Sequence, residues 1–499
     1  MAYKYVSCDR DQQFLLSMSM RDWVEEGHLA WFVIDVVDRV DTRAFHARHP
    51  NDGPGRPAYN PEVMLALLFY AYETGVRSSR RIEANCRTDA AYRVICGNAT
   101  PDHATIARFL VDHEDAIEGV FVDVLRLCVA AGLVSVGTIA IDGTKIGSDA
   151  ALDANRTRDW IRAEVERILA EAAAADAAED AQPDLFGGEL PVALSSRSGR
   201  VARLEAAMAE IDAQDEAARA AAQERAAKAR AAAAEGRKLR GRKPKDPHAA
   251  LARAEADEAA LRVRAQREAA ENGGVPPDED PDVIRAVAAT AEARAAAQAA
   301  EPDPAKANIT DPESRILKTA AGWVQGYNAQ AAVDENQIVV ACAVTQDAND
   351  VGQYQPMVAA TGAALAAAGV TDPIGTVLAD AGYWSEDNAT AEGPNRLIAT
   401  LKDHKQRRAA RDLGTTTGPP PDDAPPAEAM EHRLRTPEGA ATYATRSHTV
   451  EPVFSVKANH DYRRFRRRGL HAAASEWALI ASTHNLGKLF RHPNPLGVT

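Results

Sequence analysis

The sequence predicts an α/β chain in three styles. Residues 1–135 form an all-α N-terminal part, residues 153–306 an alanine-rich helical insertion, and residues 136–152 with 307–492 a mixed sheet flanked by helices. Three observations carry this. Apolar residues recur at helical spacing up to about residue 135, the next long stretch is dominated by Ala, Glu and Arg, and a period of two marks residues 136–149 and those beyond 315. With 499 residues, 45% of them hydrophobic, the chain has material for more than one core.

In chain order, Asn60-Pro61 offers a cap and a proline at the first helical position, and PEVMLALLFYAYE runs apolar to a stop at Gly75. VRSSRRIEANCRTDAAYRVICG reads as one amphipathic helix or a pair, and Asp102 is placed to cap HATIARFLVDHEDAIEGVFVDVLRLCVAAG. Short helices joined by tight turns and carrying Arg77, Arg80, Arg81 and Arg108 suit a helix-turn-helix-type DNA-binding domain. A plain helical bundle with solvated arginines suits the same pattern.

Alanine with pairing charges has the highest helix propensity available but little side-chain volume for a core. The insertion therefore predicts long helices, partly a coiled-coil hairpin. Its midpoint, EGRKLRGRKPKDPH, puts Arg237, Lys238, Arg240, Arg242, Lys243 and Lys245 at the hairpin tip. Arg240-Gly241-Arg242-Lys243-Pro244 resembles the element that AT-hooks lay in a narrow minor groove, with one extra lysine; a solvated basic loop is the other reading.

VGTIAIDGTKIGSD reads as a strand, apolar up to Asp142 and turned by Gly143. GWVQGYNAQAAVDENQIVVACAVTQ reads as two strands joined at Asp334 to Gln337, residues 350–369 as a helix, and TVLADAGY and RLIATLKD as short strands. The proline-rich acidic stretch at about 414–428 predicts a disordered loop, and 438–490 one long helical region.

Asp142 and Asp380 each end an apolar strand, and Glu451 opens a Pro-Val-Phe stretch in the C-terminal helical region. A rigid strand end aims a carboxylate at little entropic cost. Two aspartates and a glutamate without His or Cys make a hard oxygen set that suits Mg²⁺ or Mn²⁺ rather than Zn²⁺. Two such ions, about 3.5–4 Å apart, clamp the attacking and leaving oxygens of an in-line phosphoryl displacement. Asp347 and Asp350, in TQDANDVGQ, rival Asp380 as the middle carboxylate. Tyr443, Arg446 and Lys457 flank Glu451, while Arg463, Arg464, Arg466, Arg467 and Arg468 surround Phe465 with no interleaved acid, a density that favours a nearby polyanion.

The net charge of −14 points away from nucleic acid, yet residues 402–491 hold sixteen Lys and Arg against ten Asp and Glu. Binding would therefore rest on local patches. There is no run of eighteen apolar residues, which argues against a membrane span, and MAYKYVSCDRDQQFLL lacks a secretory-signal pattern, which predicts a cytoplasmic location. Five cysteines without a CxxC pair argue against a disulfide framework and a cysteine zinc site.

Taken in order, RPAYNPEVMLALLFYAYETGVRSSRRIE, PDHATIARF, IDGTKI, GYNAQ, LADAGYWS, TVEPVFSVK and RRFRRRGLHAAASEWALIASTHNLGKL resemble a bacterial insertion-sequence DDE transposase over nearly the whole chain. The resemblance implies a ribonuclease-H-like catalytic core behind the helical DNA-binding domain, with Asp142, Asp380 and Glu451 as the catalytic, metal-holding triad. It implies two Mg²⁺ ions, Mn²⁺ substituting, and Tyr443, Arg446 and Lys457 as contacts to the transposon-end phosphate and flanking base. The partners it implies are double-stranded DNA, as terminal inverted repeats and target, and a second copy of the chain in a synaptic homodimer. The activity would be cleavage of the element's ends and transfer of the freed 3′-hydroxyl into the target, by a cytoplasmic protein that is nucleoid-associated when bound. One departure is plain: one residue more separates Arg446 from Glu451, and one fewer Glu451 from Lys457, than in the related pattern. A ribonuclease-H-like nuclease or resolvase shares the carboxylates, and an inactive DNA-binding protein shares the helical parts.

Overall fold

The structure, a computed structural model, describes residues 19–47, 58–180, 192–238, 244–300, 304–402, 405, 406, 408, 412–455, 460 and 462–493. The chain divides into two compact units, one of residues 1–153 with 313–499 and one of residues 154–312. The first unit opens with helices α1 (Leu29–Val37), α2 (Arg43–His46), α3 (Pro61–Glu73), α4 (Ser79–Thr88), α5 (Ala90–Ile95), α6 (His103–Asp112) and α7 (Glu114–Ala130), followed by strand β1 (Thr138–Gly147). Local chemistry sets the helix ends. Asn60 accepts the Glu62 N–H at 2.7 Å ahead of Pro61, Asp102 accepts the Thr105 N–H at 2.8 Å, and Gly75 ends α3 with φ +76°.

The second unit pairs strands β2 (Asn155–Thr157) and β3 (Lys306–Asn308) and adds helices α8 (Arg158–Asp180), α9 (Val192–Ala234), α10 (Pro247–Asn272) and α11 (Pro281–Ala299). Its cores are thin, one around Ile161, Ile168, Leu204 and Ile211, another around Leu261, Ala265 and Val283. Helix propensity and surface pairs such as Arg262–Asp278 (2.9 Å) supplement them. Asp246 and Asp280 cap α10 and α11 ahead of Pro247 and Pro281. Arg237, Lys238 and Lys245 lie between α9 and α10, whereas Arg240, Arg242 and Lys243 lie outside the described residues.

Back in the first unit come β4 (Arg315–Thr319), β5 (Gly322–Asp334), β6 (Val339–Thr345), α12 (Tyr354–Ala367), β7 (Thr376–Ala379), α13 (Glu386–Thr390), β8 (Asn395–Ile398), α14 (Pro426–Leu434), α15 (Pro437–Phe454) and α16 (Leu470–Phe490). The sheet order is β4-β5-β1-β7-β8, with β6 also on β5. β5 runs antiparallel to β1, β4 and β6, whereas β7 and β8 run parallel to β1. At the β5–β6 turn, Asp334 accepts the N–H groups of Asn336 (3.0 Å) and Ile338 (2.8 Å), and Gln337 takes φ +64°.

Three differences from the sequence reading have physical causes. β1 does not end at Asp142 but continues to Gly147, because β5 keeps pairing from Gly143 to Gly147 after β7 has ended at Ala379. Among the described residues, the region 438–490 holds two helices rather than one, with an arginine-rich loop before the second whose Phe465 is buried. Residues 414–425 are irregular but tied to α14, with Thr416 donating from its hydroxyl to the His432 carbonyl at 2.5 Å. Helix α16 is buried nearly all round and joins α7, α3 and β6 into one continuous core. Small residues let it sit close, and its polar groups are satisfied: Asn485 exchanges two 2.8 Å hydrogen bonds with the Val339 backbone, and Trp477 donates to the Gln330 carbonyl at 2.9 Å.

Candidate active site

Strand register brings two aspartates together. Ile141 of β1 pairs in parallel with Ala379 of β7, so the next residues, Asp142 and Asp380, emerge side by side. Asp380 also caps a tight turn, accepting the Gly382 N–H at 2.8 Å. Asp142 accepts the Gly143 N–H at 2.7 Å on Oδ1 and the Arg446 guanidinium at 3.3 Å on Oδ2. Burial pushes the Asp142 carboxyl up to about 7; Arg446 and the Gly143 N–H oppose the rise, and Asp380 and Asp350 add to it.

Asp350 joins them from the loop between β6 and α12. Its Oδ1 accepts from Asn328 (2.7 Å), Gln330 (2.9 Å) and the Lys145 ammonium (3.1 Å). Asn328 and Gln330 alternate along β5 and are fully buried, and the Tyr383 hydroxyl donates to Gln330. Burial holds the Tyr383 phenol well above its usual range, and Asp142, Asp350 and Asp380 push the same way. Two glycines make room for this group. A Cβ on Gly143 would overlap the Gln330 amide and lie 2.6 Å from Asp350 Oδ1, and one on Gly382 would lie 2.9 Å from Asp380 Oδ1 and 3.4 Å from Asp350 Oδ2. Gly143→Ala should therefore push the Asn328–Gln330–Asp350 network apart and cost about 1–3 kcal/mol, read as a lowered urea midpoint.

Sequence comparison adds a second line. Residues 18–112 match the family model Transposase domain (DUF772), and residues 422–490 match the model Transposase DDE domain. Both matches are to transposase models, and together they support an insertion-sequence DDE transposase. The second matched stretch carries Arg446, Glu451 and the arginine loop, while Asp142, Asp350 and Asp380 lie outside both stretches. No curated protein and no solved structure matches the chain. Among the described residues, no helix is long and apolar enough to cross a membrane.

The remaining expected residues fall in different places. Glu451 is exposed on α15, five residues beyond the buried Arg446, and Lys457 lies outside the described residues. Tyr443 sets its ring 6.0 Å from the Arg446 guanidinium. Asp347 is exposed and accepts from Gln353 at 2.7 Å. Thus the acids that the structure gathers are Asp142, Asp350 and Asp380. Among the described residues no three His, Cys, Asp or Glu side chains stand ready-made around one point. The donor chemistry nonetheless fits a hard divalent cation: crowded carboxylates, two glycine cradles, and the side-chain cations of Arg446 and Lys145 already on Asp142 and Asp350.

Of the arginines expected to meet DNA, Arg80, Arg81 and Arg108 are exposed on α4 and α6, and Arg463, Arg464, Arg466 and Arg468 are exposed on the loop before α16. The loop is rigidly tied. Gly147 donates to the Arg463 carbonyl (3.0 Å), Phe465 donates back to Gly147 (2.7 Å), and Glu476 accepts the N–H groups of Arg466 (2.8 Å) and Arg467 (3.3 Å). Arg467 is paired with Glu114, and Arg468 with Asp149 at 2.9 Å. Arg80, Arg466 and Arg468 line one cleft of about 590 Å³ with Val111. Arg77 corrects the sequence reading. Its side chain is 3% exposed and turns inward to Glu476 (3.1 Å), the Arg464 carbonyl (2.8 Å) and the Tyr462 ring (4.5 Å), so it is not on a DNA-facing surface. Lys145, Asn328 and Gln330 were missed in the sequence. The available signal was polar residues at alternating positions of an otherwise apolar strand, which need partners when buried.

Proposed function

We propose that this transposase cuts the ends of its insertion sequence and joins the freed 3′-hydroxyl to target DNA, at a centre built on Asp142, Asp380 and Glu451. The observation that carries this is the Asp142–Asp380 pair at adjacent parallel strands. The strand order, with antiparallel β4, β5 and β6 on one side of β1 and parallel β7 and β8 on the other, supports a ribonuclease-H-like core. Asp142, Asp380 and Glu451 would hold two Mg²⁺ ions, or Mn²⁺ in their place, which when bound stabilise the charge on the attacking and leaving oxygens. The chain's own residues do the rest. Arg446 and Tyr443, with Lys457, would contact the end phosphate, Arg446 being the cation that already pairs with Asp142. The exposed arginines of α4, α6 and the loop 463–468 hold the phosphate backbone, and Arg237, Lys238, Arg240, Arg242, Lys243 and Lys245 are further phosphate-binding candidates in the chain. Two ends must be held together, so the working form contains at least two protomers.

The test is joining of a labelled terminal-repeat duplex with a free 3′-hydroxyl to supercoiled plasmid in Mg²⁺. Label in the plasmid is the expected result. Nicking without joining would favour a nuclease or resolvase, and neither reaction an inactive DNA-binding protein.

A further inference from the structure

We infer that Asp350 is a fourth carboxylate of the catalytic centre, fixed through Oδ1 and presenting Oδ2 to the cation held by Asp142 and Asp380; this rests on the proposed function. The geometry separates the two oxygens of Asp350. Oδ1 takes three donors, from Asn328, Gln330 and Lys145, and that many bonds on one oxygen fix the carboxylate plane. Oδ2 lies on the side of Gly382, where a single Cβ would meet both it and Asp380 Oδ1. A carboxylate anchored by a buried amide pair is oriented before any ion arrives, which reduces the rearrangement that binding must drive.

A purely structural role accounts for less. An aspartate that merely closed a turn would not require a lysine ammonium and two fully buried amides on one oxygen, nor two glycines cleared around it. Asp347, three residues earlier, supplies the contrast: it is exposed and engages the Gln353 side chain instead.

The experiment is calorimetric titration of Mn²⁺ into the full-length protein, with the Mn²⁺-induced rise in Tm as a second readout. Asp350→Asn is expected to weaken Mn²⁺ binding by about 10–100-fold, and Asp347→Asn to leave it within about twofold. Because the new amide also faces the Lys145 ammonium, Asp350→Glu is measured alongside. It keeps the charge and an acceptor but displaces the second oxygen, and it should weaken Mn²⁺ binding by the folded protein at a temperature well below its metal-free Tm, which the added methylene lowers. Wild-type Mn²⁺ affinity in both Asp350 variants, with Asp142→Asn and Asp380→Asn impaired, overturns the inference alone. Wild-type affinity in all four overturns the proposed cation site and the inference with it.

Discussion

Asp142→Asn should cut end cleavage on the order of 10⁴-fold, the scale of losing one carboxylate from a catalytic unit, while raising the melting temperature of the metal-free protein at pH 8. The two effects have one cause. The folded site disfavours the charged form: burial and the neighbouring acids lift Asp142 to about 7 even with Arg446 beside it. Between the ordinary aspartate value and about 7 the folded protein holds a proton that the unfolded chain has released, so Asp142 costs stability progressively as pH rises through that window. Asparagine has no such window. The gain in Tm should be about 2–5 °C at pH 8 and shrink toward nothing near pH 4. Adding Mn²⁺ should reverse the ranking, raising the wild-type Tm more than that of the variant. A variant that cleaved at the wild-type rate would remove Asp142 from the chemistry, and one with a lower Tm than wild type at pH 8 would show that the Arg446 pair outweighs burial.

This dual behaviour shows which parts of the site a sequence can display. Asp142 and Asp380 were legible because each follows an apolar run that has one use, a buried strand, and the acid is conspicuous at its edge. The turn at Asp334 to Gln337 and the caps at Asn60 and Asp102 were legible because their chemistry is local. What brings Asp350 in was not local. It depends on Asn328 and Gln330 of β5 facing the same side as Lys145 of β1, which is a matter of register between strands about 180 residues apart. Glu451 was legible only as part of a helical region: α15 carries it on an exposed face, and the residue of that helix buried beside Asp142 is Arg446. Spacing gave the helix but not the face it turns inward.

Arg77 carries the same lesson into a measurement. Its string, VRSSRR, suggests a cation free for phosphate, but its partner Glu476 lies 399 residues later in a fully buried stretch of α16. Arg77→Met should destabilise the protein by about 3–5 kcal/mol at pH 8, because it strands a buried carboxylate rather than merely removing a bond. Burial already raises Glu476, and without Arg77 it rises further. A raised folded pKa means that stability is kept below the ordinary glutamate value and lost as pH rises through the folded one, so the variant's deficit should shrink as the pH is lowered toward about 5. Adding Glu476→Gln should restore most of the loss, since glutamine stays neutral and still accepts the Arg466 and Arg467 N–H groups that hold the arginine loop. DNA binding decides between the two roles of Arg77. If it only positions the loop, Arg77→Met weakens DNA binding and the double variant recovers both the affinity and the salt slope. If it touches a phosphate, the double variant stays weak, with a salt slope shallower by about one.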